Sequence, residues 1–111
     1  MKRSLGFIVA ISSLLAVSVA GSAFAEDENI AAGRELMSRH CSRCHAIGTD
    51  DVSPLPQAPA FRTLGKRYPI ESLEESFAEG IFTGHADMPE LRFRPRDIGA
   101  AIAYLKSIQQ E

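Results

Sequence analysis

The two cysteines of the 111-residue chain lie together, in Cys41-Ser42-Arg43-Cys44-His45. Cysteines separated by two residues, with histidine directly after the second, form the attachment pattern of a covalently bound c-type haem. Residues three apart share one face of a helical turn, so both sulfurs can meet the two vinyl-derived carbons on one porphyrin edge. His45 then places its imidazole under the ring, in the iron's proximal position. Two other chemistries compete for the same residues. A redox-active cysteine pair of the thioredoxin kind belongs in a βαβ setting, and the sequence has none. A structural zinc site takes about four ligands, which two cysteines and three histidines supply poorly.

The elements that must position this motif read mainly as helices. Residues 28–41 carry Ile30, Gly33, Leu36, Met37, His40 and Cys41 at three- and four-residue steps, the pattern of an amphipathic helix. Asn29, preceded by acids that suit the helix dipole, is its expected N-cap. Gly33 costs helix stability relative to alanine; it is either a tolerated surface residue or the place where another helix crosses closely. Residues 46–60 hold Pro54, Pro56 and Pro59, which forbid a helix and disfavour a central strand. A rigid loop here would wrap the proximal side of the haem. Phe61 and Leu64 are apolar positions after it, and Gly65 to Pro69 reads as a further break.

A second helix is expected over Glu71–Thr83, opened by a capping box at Ser72-Leu73-Glu74-Glu75 and stopped by Gly84. Leu73, Phe77 and Ile81, widened by Phe82, make its apolar stripe. The loop that follows, residues 84–90, holds His85 and Met88. A last helix runs from about Pro95, suited to a first turn, to Gln109. Its buried face is Ile98, Ala101, Ile102, Leu105 and Ile108, with Tyr104 beside it. No repeat, low-complexity tract or alternating strand pattern interrupts this all-α reading.

Residues 1–25 read as a signal peptide and 26–111 as one mature domain. Lys2 and Arg3 are the basic head, Leu5 to Ala20 an apolar run, and Ala23-Phe24-Ala25 a small-x-small cleavage site before Glu26-Asp27-Glu28. The alternative is an uncleaved anchor, for which the run is short against the roughly 20 residues of a membrane span. The remainder keeps ten Lys and Arg against fourteen Asp and Glu, a formal charge of −4. That excludes the clustered basic excess of a nucleic-acid binder and a polybasic membrane tether. A domain this small usually needs a staple, a metal or a cofactor to complete its core, and a covalent haem would supply it.

Taken in order, these pieces resemble a class I monohaem cytochrome c over residues 28–110. The resemblance is carried by Gly33 eight residues before Cys41, the haem motif, and Ala58-Pro59-Ala60-Phe61. Met88-Pro89 follows, then Ala103-Tyr104-Leu105 in the terminal helix. Met37 departs from the aromatic residue often found four positions after the glycine. The resemblance implies a small fold of three to four helices around one haem c held by Cys41 and Cys44. It also implies first and last helices that cross with Gly33 against Tyr104. It places a proline carbonyl on the His45 imidazole, nominating Pro59, with Pro54 and Pro56 as alternatives. Haem attachment outside the cytoplasmic membrane, and so a periplasmic location, follows from it as well.

Within that frame His45 is the proximal iron ligand and Met88 the expected distal one. Thioether opposite imidazole raises the haem potential and leaves no open position for oxygen chemistry. His85, three residues away, is the rival distal ligand; Met37 is committed to the haem-bearing end. Arg67 and Tyr68 stand where they can pair with a haem propionate, although a solvent-exposed charge and a half-buried tyrosine would look the same. His40 reads as a surface or haem-edge residue. The function implied is a periplasmic, monomeric, non-enzymatic carrier of single electrons between transient redox partners, with no small-molecule substrate. The alternatives are a dedicated electron-acceptor subunit of one periplasmic oxidoreductase, or a gas sensor or peroxidase with a labile sixth ligand.

Overall fold

The computed structural model describes residues 21–81 and 85–110, so most of the expected signal peptide, together with Phe82, Thr83 and Gly84, lies outside the described residues. Among the described residues, three α-helices carry the fold: α1 (Gly21–His40), α2 (Leu73–Glu79) and α3 (Pro95–Ser107). Short 3-10 helices at Phe61–Lys66 and Ile70–Ser72 lie between the first two. Among the described residues there is no strand, as the all-α reading requires.

The first helix begins earlier than expected. Asn29 lies inside α1 and caps nothing, because the residues before it (Ala25, Glu26, Glu28) include strong helix formers and nothing that breaks a helix. Arg39 and His40 in the last turn suit the negative end of the helix. The inward face follows the sequence pattern, with Gly33, Leu36 and Met37 buried and Ile30 and Cys41 packed partly against the core. Met37 is fully buried, which stabilises the fold by about 2 kcal/mol.

Helices α1 and α3 meet at Gly33. A Cβ there would clash with the Ala100 carbonyl and come 2.6 Å from Tyr104 Cβ, so only glycine permits this approach. Of the two readings of Gly33, the close crossing is the one found. On α3, Ala100, Ala101, Ile102, Tyr104 and Leu105 are buried, and Ile108 is buried just beyond its end.

Helix α2 is shorter than the expected Glu71–Thr83. Gly80, with φ of 111°, takes its backbone out of the helix, and its N–H closes the last turn on the Ser76 carbonyl. Ser72 stands at the N-cap position but makes no side-chain cap bond, because its own backbone is helical, continuing the 3-10 turn before it. Gly65 and Lys66 are likewise part of the Phe61–Lys66 helix rather than a break. That helix gains from burying Phe61 and Leu64 on one side.

After Gly80 the chain makes a strap that closes on itself. Ile81 N–H donates to the Leu91 carbonyl at 3.0 Å, and Phe93 N–H to the Phe77 carbonyl at 2.8 Å. Arg92 adds a bond from Nη2 to the Glu79 carbonyl at 2.6 Å. Residues 79–81 and 91–93 thus form a neck, and the Met88 loop lies beyond it.

Candidate haem site

The attachment motif continues the last turn of α1. Cys41 N–H reaches the Met37 carbonyl at 2.9 Å, and the N–H groups of Cys44 and His45 both reach the Cys41 carbonyl, at 3.2 and 2.9 Å. Both cysteines are free and half-buried. Burial, and secondarily the nearby Cys44, push the Cys41 thiol up to about 11. A reactive thiol needs its pKa lowered by positive surroundings, and Cys41 is pushed the other way.

His45 is fixed from the loop that follows. Its Nδ1–H donates to the Pro59 carbonyl at 2.8 Å, because a carbonyl can only accept. That tautomer leaves the lone pair on Nε2, the nitrogen available to a metal. The imidazole also packs on Phe61, with ring centroids 4.7 Å apart. Of the three prolines nominated for this bond, it is Pro59 that makes it.

The loop is laced on both sides. Leu55 N–H donates to the Cys44 carbonyl at 3.1 Å, and Phe61 N–H to the Ala46 carbonyl at 2.9 Å. Ser53 Oγ accepts from Ala46 N–H. Asp51 accepts from the N–H groups of Ile47 and Gly48, and Arg62 Nη1 donates to the Asp51 carbonyl at 2.8 Å. From α3, the Tyr104 hydroxyl donates to the Ile47 carbonyl at 2.6 Å. Gln109 donates from Nε2 to the Phe61 carbonyl and accepts from Gly65 N–H, while Gln110 N–H donates to the Arg62 carbonyl. Asp51 and Ser53 mark the Pro-rich loop in the sequence, as ordinary turn-closing residues do, without showing which groups they bind, and Arg62 carries no sequence signal of its own. For Gln109 no sequence signal exists.

The remaining expected residues are less tightly tied. Met88 is half-buried on the strap, in a turn closed by its N–H on the His85 carbonyl at 3.1 Å; His85 is exposed. Arg67 and Tyr68 follow the Phe61–Lys66 helix, their N–H groups both directed to the Leu64 carbonyl. Tyr68 packs partly against the core, and burial raises its phenol pKa, with Arg67 pulling it part-way back. Arg67 is exposed. His40 is exposed, with its ring 5.5 Å from that of Phe93.

The residues present fit a haem. Two free thiols lie on one turn, the next residue offers an imidazole with a defined tautomer, and the buried described side chains number no charged group among them. An all-helical chain of this order, closed over such a motif, is a haem-attachment domain. A family model for cytochrome c matches residues 30–109, from α1 to beyond α3. Neither the curated proteins nor the solved structures contain a match to the chain. The chain belongs to the cytochrome c family. It carries one haem c, covalently attached through Cys41 and Cys44, and its chemistry is haem-based electron transfer.

Proposed function

We propose that the protein is exported to the periplasm with loss of residues 1–25, and there acts as a monomer. It passes single electrons between redox proteins met transiently, its haem iron held between His45 and Met88. We read it as a carrier and not an enzyme. The observation that carries this reading is the His45 Nδ1 to Pro59 carbonyl bond at 2.8 Å. That bond fixes the imidazole's orientation and raises its basicity toward a metal on Nε2. A proline carbonyl in a loop laced at several points moves little, so the ligand stays in place through an oxidation cycle.

When bound, the haem supplies a one-electron ferric/ferrous couple. Met88 is supported as the distal ligand by its place on a strap whose two ends are hydrogen-bonded together. A thioether there raises the reduction potential and denies the sixth position to small molecules. Leu36, Met37, Leu64 and Leu105 are buried in the apolar core, and such surroundings would limit reorganisation around a bound haem. Tyr68 and Arg67 pair with a propionate, a role that suits a half-buried phenol next to an exposed guanidinium.

The test is the optical spectrum of the haem-loaded protein, ferric and ferrous, beside Met88→Ala. The expected result is a weak far-red band of sulfur-bound ferric haem, present in the wild type and lost in the variant. A high-spin or carbon-monoxide-binding wild type would overturn the carrier reading. A low-spin spectrum indifferent to the substitution would assign the sixth position to His85.

A further inference from the structure

Gln109 lies half-buried just beyond the end of α3, its side chain turned back between that helix and the segment carrying Pro59 and Phe61. Its amide is fully used. Nε2 donates one N–H to the Phe61 carbonyl at 2.9 Å and the other to the Leu105 carbonyl at 2.6 Å, while Oε1 accepts from Gly65 N–H at 2.7 Å. Two of these partners can only accept and the third can only donate, so one orientation of the amide satisfies all of them. The Leu105 carbonyl belongs to the last turn of α3, whose carbonyls the helix itself leaves unmatched. Gly65 supplies the room: a Cβ there would come 3.0 Å from Gln109 Oε1, tighter than an ordinary contact.

These contacts converge on His45. The Phe61 backbone is held at both ends, its N–H by the Ala46 carbonyl directly after His45 and its carbonyl by Gln109. The Phe61 ring lies against the His45 imidazole, with centroids 4.7 Å apart. Pro59, two residues earlier, accepts the His45 Nδ1–H at 2.8 Å. Between them the Ala60 carbonyl is taken by Thr63, from N–H at 3.1 Å and from Oγ1 at 2.8 Å. Pro59, Ala60 and Phe61 are thus anchored as a unit, and the Gln109 side chain ties that unit to α3.

We propose that Gln109 is a positioning residue for the proximal ligand. By holding the Phe61 carbonyl it keeps the Pro59 carbonyl against the His45 Nδ1–H, and so lowers the reduction potential of the haem. The inference rests on the reading of His45 as the iron ligand. An imidazole whose Nδ1–H is held by a carbonyl is the stronger donor through Nε2, and a stronger donor favours ferric over ferrous iron. Hydrogen bonding around the ligands is one of the levers by which a protein sets a haem potential. Gln109 thereby offsets part of the rise that a thioether on the opposite side of the iron would give.

The experiment compares the haem-loaded wild type with Gln109→Met, which keeps the length of the side chain and removes its hydrogen bonds to Phe61, Leu105 and Gly65. Two quantities are read: the midpoint potential by redox titration, and the rate at which the His45 Nδ1–H of the ferrous protein exchanges with deuterium, by proton NMR. At a fixed potential the ferrous-to-ferric ratio should rise roughly threefold, about 30 mV in midpoint for a one-electron couple. Exchange should quicken roughly tenfold as the segment opens more often. Gly65→Ala, which presses on Oε1 from the other side, should move both quantities the same way by less. Ser107→Ala removes a bond at the same helix end, from Ser107 Oγ to the Tyr104 carbonyl at 2.6 Å, without touching the loop, and should move neither. Wild-type values of both quantities in Gln109→Met, or equal shifts in Ser107→Ala, would overturn the role of Gln109. So would a shifted potential with unchanged proton exchange, because the effect would then bypass His45. If Gln109→Met fails to hold haem, Gly65→Ala decides on the same two readings. A His45 ring without the upfield proton shifts of a haem ligand would overturn the proximal assignment, and this inference with it. A carbon-monoxide-binding wild type would overturn the carrier reading alone, since the readings here concern the proximal side.

Discussion

Single residues matter here mainly through what they fix. Tyr104 lies in the helix crossing with one polar atom, its hydroxyl, spent on the Ile47 carbonyl two residues beyond His45. Tyr104→Phe should cost about 1 kcal/mol in denaturant unfolding, the usual net worth of such a bond. Burial, with Asp51 adding and Arg34 opposing, raises the phenol's pKa. The folded state therefore holds that proton more tightly than the unfolded chain. Its contribution is complete below the ordinary tyrosine range and is lost as pH climbs through the folded value, so the variant's alkaline stability curve should lack that part of the decline. The attachment residues were legible in the sequence because their chemistry demands fixed types at fixed spacing. Pro59 was legible only through its neighbours Ala58, Ala60 and Phe61. Gln109, which bridges Gly65 and Phe61, was not legible at all, since a glutamine near a terminus has the same composition whether it is solvated or tied.

At the scale of elements, the helices were readable from their apolar spacing and their ends were not. Helix α2 stops at Glu79 because the chain turns at Gly80 to bring Ile81 against Leu91, a pairing that no local pattern announces. Asn29 has the side chain of a cap but lies in a helix that its upstream neighbours already favour. The Gly80 backbone, at φ of 111°, is one that side-chain-bearing residues rarely adopt. A Cβ there would also come 2.6 Å from Glu90 Oε1, a contact the flexible carboxylate can yield. Strain should thus fall on the neck rather than on the core. Gly80→Ala is expected to loosen the strap, so that added imidazole displaces the proposed ligand Met88 roughly ten times more readily, a factor worth about 1.4 kcal/mol. Optical titration of the ferric protein with imidazole measures it; equal affinity in both proteins would show that the neck does not hold the ligand.

For the molecule as a whole, the deciding contact joins the beginning of the domain to its end. At Gly33 the Ala100 backbone occupies the space a side chain would need, and backbone cannot swing aside as a rotamer can. Gly33→Val should destabilise the haem-loaded protein by about 2–3 kcal/mol, the cost of overpacking a close contact, read as a lowered midpoint in guanidinium unfolding. A midpoint within error of the wild type would mean that the helices had slid apart at no cost. The crossing also imposes an order of events. Residues far apart in sequence gain nothing from each other until both are present, and Gly33 finds its counterpart only when Ala100 and Tyr104 are in place. Until α3 docks, the Cys41–His45 segment has neither Tyr104 over Ile47 nor Gln109 and Gln110 drawing its loop inward. The unfolded segment therefore passes through an interval in which its two thiols stand open to modification, and the docking of α3 brings that interval to an end.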